Sequence, residues 1–303
     1  MGAMDFWRLV KHSVRSWQDD YASSMGAAIA FYTAFSIAPL LIIVIAVAGF
    51  VWGEDAIRGE ILRQLSGLVG TEGAAGVQEL IRNADQPRQG ATATVISAGV
   101  LIWGATRVFA ELQSALDRIW KVPVSEKKTG IINSLRARLL SFGLVLGLAF
   151  LMLVSLAISA GLAAISHWAG EVLIGWPFML QLLNMLVSIL IATVLFAMIY
   201  KFMPQAKIAW RDVWIGAIVT AVLFEAGKML IGLYVGTSST ISVLTAAGSL
   251  VVVLIWVFYA AQVFLLGAEF TWTYATHHGS RATRADHRKD ARKNMLAAPP
   301  RPH

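Results

Sequence analysis

Six long runs of apolar residues with almost no charge divide the chain, over residues 29–52, 91–110, 139–165, 178–200, 213–235 and 249–270. Each comes near the roughly 20 residues that a helix needs to cross about 30 Å of hydrocarbon. In lipid only helices and closed barrels satisfy their own backbone donors and acceptors. The runs are continuous rather than alternating, which removes the period of a barrel strand and predicts helices. The expected fold is all-α, a polytopic membrane protein with a bundle of six transmembrane helices over residues 1–275 and a polar tail over 276–303. Ahead of the first run, "FWRLVKHSVRSW" places Phe6, Leu9, Val10, Val14 and Trp17 on one helical face and Arg8, Lys11 and Arg15 on the others. Such a pattern predicts a basic amphipathic helix lying at the membrane interface, or equally a short soluble helix packed on the bundle.

Composition supports the membrane reading. The chain is 57% hydrophobic and 14% charged, with a mean hydropathy of +0.65, more apolar surface than one soluble core buries. Without cysteine, disulfides, thiolate metal sites and cysteine nucleophiles are excluded. His12 and His167 lie outside the runs and the other four histidines lie in the tail, so no histidine metal centre is expected. Ala46-Val47-Ala48 resembles a signal-peptidase site, yet the apolar run before it is long and contains Pro39, so the first span is expected to be retained.

Charge sets the orientation. Lys and Arg number three before the first run, six between the second and third, three between the fourth and fifth and seven after the sixth, 19 on one side against four on the other. Both termini are therefore expected in the cytoplasm. The loop over 53–90, with six acids and four arginines, should face outward and carry short helices over 57–68 and 73–81. The tail "RATRADHRKDARKNMLAAPPRPH" is expected to be disordered, and its basic residues are explained by topology and anionic lipid without a nucleic-acid partner.

The charges within the runs carry the candidate chemistry. Glu225 falls at the middle of the fifth, the most expensive depth for an ionised carboxylate, and Lys228 follows at i+3 on the same helical face. Two readings stand side by side: a pair that orients the bundle, or a gating or proton-responsive site. Other polar residues are expected at matching depth: Tyr259 and Gln262 in the sixth run, Asn184 and Ser188 on one face of the fourth, and Ser36 and Pro39 in the first. Pro39 removes a backbone donor and frees a carbonyl one turn earlier, a common way to line a cavity. Singly, each such residue is explained by an interhelical hydrogen bond; together they outline a hydrated site around Glu225. Arg107 and Glu269, at the cytoplasmic ends of the second and sixth runs, are expected to bridge those helices, as a staple or as a gate. No Walker-type loop, HExxH motif or His/Asp cluster is present, so neither a cofactor nor a catalytic activity is expected.

Four stretches together resemble one family: "GAAIAFYTAFSIAPLL" (26–41), "YKFMP" (200–204), "GAIVTAVLFEAGKMLIGLYV" (216–235) and "GSLVVVLIWVFYAAQVFLLGAEF" (248–270). They are similar to the YihY/BrkB family of bacterial inner-membrane proteins, once labelled ribonuclease BN. The resemblance covers roughly residues 5–275 and implies six helices in a bacterial cytoplasmic membrane. It also marks Tyr32, Ser36, Pro39, Pro204, Gly216, Glu225, Lys228, Tyr234, Gly248, Trp256, Tyr259, Gly267 and Glu269. Where the family tends to have Tyr-Gly before the sixth span, this chain has Leu244-Thr245. The absence of nuclease chemistry agrees with treating the ribonuclease label as a misassignment. The leading expectation is a transporter or permease for ions or an envelope lipid, with membrane lipids as partners. A non-transporting scaffold or envelope-integrity factor is the alternative.

Overall fold

The computed structural model describes residues 3–85, 107–123, 176–237 and 246–282. The expected third span, all but the last four residues of the second, the Leu244-Thr245 position and the tail beyond 282 lie outside the described residues. Among the described residues every regular element is a helix: α1 (Ala3–Asp19), α2 (Ala22–Trp52), α3 (Glu54–Asp85), α4 (107–119), α5 (Trp176–Phe202), α6 (Trp210–Thr237) and α7 (Ala246–His277). Three stretches among the described residues are long and apolar enough to cross a membrane, Leu182–Phe202, Trp210–Leu230 and Val253–Ala282. The fourth and fifth expected spans sit inside α5 and α6 with margins of two or three residues. α7 runs seven residues past the expected end, because Thr271 to His277 continue the helix after hydropathy falls.

The chain divides into two compact units, one of Met1–Asp20, Leu116–Ala221 and Leu266–His303, the other of Tyr21–Ala115 and Val222–Leu265. In the second unit, α2 and α3 are joined through Gly53 alone. Its φ of 88° lies in the region glycine tolerates, and its N–H closes on Gly49 O at 2.7 Å. Two short helices were expected beyond this turn, but α3 is one continuous helix of 32 residues. Ile57, Ile61 and Leu65 recur every fourth residue, and Val77 and Ile81 resume the stripe. Both parts pack with Ala30 and Ile45 of α2 and with Val253 and Val257 of α7. Anchored on either side, the glycines between them do not break the helix, although each costs about 1 kcal/mol against alanine.

In the first unit, α1 lies against α7. Leu9 packs with Phe270 and Tyr274, and the Phe6 and Phe270 rings are 6.1 Å apart. Its buried stripe is Leu9, Ser13 and Ser16, rotated away from the centre of the expected apolar face. Ser13 fits there because its hydroxyl donates to Leu9 O at 2.8 Å, leaving no stranded polar atom. Trp7 and Val14 are left exposed beside Lys11 and Arg15. α6 and α7 meet through two copies of one spacing, Gly216-x-x-x-Thr220 and Gly267-x-x-x-Thr271. A Cβ on Gly216 would collide with Thr271, and one on Gly267 would collide with Thr220 and Tyr200. Each threonine hydroxyl donates back to its own glycine's carbonyl at 2.7 Å, so a polar side chain fills the notch without a lost hydrogen bond.

Candidate functional site

Glu225 and Lys228 lie on α6, where Lys228 Nζ stands 2.6 Å from Glu225 Oε1. Their side chains are 14% and 27% exposed, respectively, at the margin of the arc on which α6 buries Ala217, Ala221 and Gly227. The pair is local to one helix, so a charge-assisted bond offsets part of the desolvation of both groups without calling on another helix. Beside it, Tyr259 of α7 lays its phenol against Gly227, and its hydroxyl donates to Leu223 O at 3.2 Å. Phe224 and Trp256 meet edge to face with centroids 5.9 Å apart, fixing the same two helices one turn away. The structure thus gathers Glu225, Lys228 and Tyr259 on adjoining turns of α6 and α7.

The remaining expected site residues are placed differently. Gln262, one turn on from Tyr259, turns to α2: its Nε2 donates to Ser23 O at 3.3 Å and fills the space that a side chain on Gly26 would take. Its Oε1 is buried with no partner among the described residues. Ser36 is buried on α2 and spends its hydroxyl on Tyr32 O at 2.8 Å, within its own helix. α2 is helical through Pro39. Asn184 is exposed and Ser188 half-buried on α5, in the other compact unit. Arg107, exposed at the first described residue of α4, and Glu269, on α7, also belong to different units.

Glu269 is 0% exposed, and among the described residues neither of its oxygens has a hydrogen-bond donor. The carboxyl of Asp20 is its immediate neighbour, with Asp19 and the Lys121 ammonium also close. Lys121 ends α4 in the left-handed conformation, φ 50°. Its N–H bonds Arg118 O and the next N–H bonds Asp117 O, both at 2.9 Å, the helix-ending motif in which glycine is usual. The lysine carries its ammonium to 4.2 Å from the centre of the Trp272 ring, one turn from Glu269 on α7.

Two further buried acids did not stand out in the sequence. Asp117 accepts the Gln205 N–H at 2.8 Å, tying the end of α4 to the turn after α5. Asp212, in the first turn of α6, accepts the Ser280 hydroxyl at 2.7 Å. Lys201 donates to Ile208 O across the same turn, and the Arg281 guanidinium lies 4.9 Å from the centre of the Trp120 ring. The signal available was Asp212 as the one acid of a basic connection and Asp117 as one of three acids in another, a weak signal because such residues are more often solvated.

A profile of the family described as "Virulence factor BrkB" matches residues 13–293. A UPF0761 membrane protein of Ralstonia nicotianae is 29% identical over 269 residues, 88% of this chain and 58% of the relative. One from Azotobacter vinelandii is 28% identical over 277 residues, 88% of this chain and 62% of its own length. The UPF0761 membrane protein YihY of Salmonella typhimurium is 31% identical over 185 residues, 59% of each chain. The chain thus spans about three fifths of the length of these relatives. No solved structure matches.

Proposed function

The chain belongs to the virulence factor BrkB family, and we propose that it is a multi-pass protein of a bacterial inner membrane that moves a small ion or an envelope lipid. The observation that supports this reading is the Glu225 and Lys228 pair, formed and partly accessible on a helix apolar enough to cross a membrane. Ionisable groups at such depth are expensive, and where they persist they commonly mark a pathway. Tyr259 adds a hydroxyl beside them, while Gln262 and Ser36 serve packing on this reading.

The topology proposed with it places both termini in the cytoplasm. Within one compact unit α1, the end of α4, the turn between α5 and α6, and the end of α7 are joined to one another, and these are the segments that the charge count assigns to the cytoplasmic side. α1 would then rest at the interface, with Trp7 and Val14 toward lipid and Lys11 and Arg15 toward headgroups. The test is flux of monovalent ions and of labelled lipid in proteoliposomes, for the wild type and Glu225→Gln. Flux that needs the protein and changes with the substitution is the expected result. No flux of any of them from folded protein would leave a scaffold and overturn the reading.

A further inference from the structure

Three acids are buried among the described residues of the first compact unit, and they are satisfied in two different ways. Asp117 and Asp212 accept backbone N–H or hydroxyl donors. Glu269 accepts none from any donor among the described residues, although it is 0% exposed. Another carboxyl, that of Asp20, lies within hydrogen-bonding reach of it. Ionised carboxylates only accept, so two of them can join in a hydrogen bond only through a proton carried by one. Left without that proton, they would be like charges in contact, with Glu269 itself shut off from water.

We propose that Glu269 and Asp20 form a proton-binding site, in which one exchangeable proton is held between the two carboxyl groups where α1, the end of α4 and α7 meet. The surroundings suit a singly charged pair. Asp19 adds a negative group from α1, and Lys121 adds the neighbouring ammonium from the end of α4. Arg118 Nε stands 3.9 Å from Asp20 Oδ1. Access is one-sided: the Asp20 side chain is 21% exposed and Glu269 wholly enclosed, so a proton enters and leaves through Asp20. Binding breaks an O–H bond of a hydronium ion in the adjoining water and forms one on a carboxyl. The pair passes from doubly to singly charged, with no other bond changed. One turn on, Thr273 Oγ1 is buried without a partner among the described residues, a further polar atom on the same face of α7. The site lies in a different unit from Glu225 and does not depend on the transport reading.

Infrared spectroscopy of the full-length protein in lipid at neutral pH tests this directly. The expected wild-type spectrum contains the carbonyl stretch of a protonated carboxylic acid, shifted by exchange into heavy water. That band should be lost in Glu269→Gln and in Asp20→Asn and retained in Glu225→Gln. Absence of the band from the wild type, or its survival in both variants, would overturn the proposal. Should Glu269→Gln fail to fold, Asp20→Asn, at a partly exposed position, reads the same band. A wild type without the band whose Tm rises with sodium, potassium, calcium or magnesium, when neither variant's does, would make this a metal-cation site and also overturn the proposal.

Discussion

Glu225 and Glu269 are both acids on largely apolar helices, and the structure treats them in opposite ways. Glu225 has its counter-charge three residues along its own helix, and both side chains retain some contact with the exterior. Glu269 has no donor among the described residues, no exposure, and a second carboxyl for a neighbour. Depth along a span is therefore a poor guide to which charge is enclosed. Beside Glu269 the ends of two helices, α1 and α4, come together against α7. Their relevant residues are some 150 and 250 positions away in sequence, so no local pattern announces the contact.

The strongest way to break this contrast is to open the α6 and α7 contact beside Glu269. Gly267 precedes it by two residues, and a larger side chain there collides with Thr220 and Tyr200, which hydrogen-bond each other at 3.0 Å. Gly267→Val should cost about 1–3 kcal/mol or more through overpacking. It should cut sharply the fraction of solubilised protein that elutes as a single folded species in size-exclusion chromatography. Wild-type yield and Tm would mean that the two helices do not approach this closely.

Much of the architecture was legible because lipid leaves so few options. Continuous apolar runs placed α5 and α6 to within a few residues, and the Glu225 and Lys228 spacing anticipated a pair within one helix. Three features were not legible. Two short helices were expected over 57–68 and 73–81, whereas packing of both apolar stripes keeps α3 as one. On α1 the most buried stripe includes Ser13 and Ser16, which hydropathy alone would assign to water. Gly216-x-x-x-Thr220 and Gly267-x-x-x-Thr271 were present in the sequence, but only the fold shows that each glycine receives the other segment's threonine.

A second, smaller effect separates a pair from two independent charges. Glu225→Leu leaves Lys228 partly buried without its carboxylate, while Glu225→Leu with Lys228→Met removes both charges together. The single change should lower stability by about 1–2 kcal/mol more than the double change, less than for a fully enclosed pair because both groups are partly hydrated. Thermal unfolding in detergent measures it, and equal Tm values would show that the two residues do not depend on each other. Smaller again is Lys121→Met, which keeps the left-handed backbone but removes the ammonium over Trp272. The expected loss is about 0.5–1 kcal/mol, and Lys121→Gly should recover part of it by relieving the backbone.

The least disruptive test is Tyr259→Phe. The phenol hydroxyl reaches Leu223 O at 3.2 Å, long for an O–H donor, and that carbonyl lies in the interior of α6, where the helix supplies another partner. Deleting the hydroxyl therefore strands no acceptor, while the ring remains seated on Gly227. The expected cost is about 0.5 kcal/mol, the low end for a neutral hydrogen bond. Stability and transport then separate cleanly at this position. If Tyr259 only joins α6 to α7, Tyr259→Phe leaves any flux in proteoliposomes at the wild-type level. If its hydroxyl serves the Glu225 site, flux falls while Tm hardly moves, an outcome that a purely structural Glu225 and Lys228 pair has no means to produce.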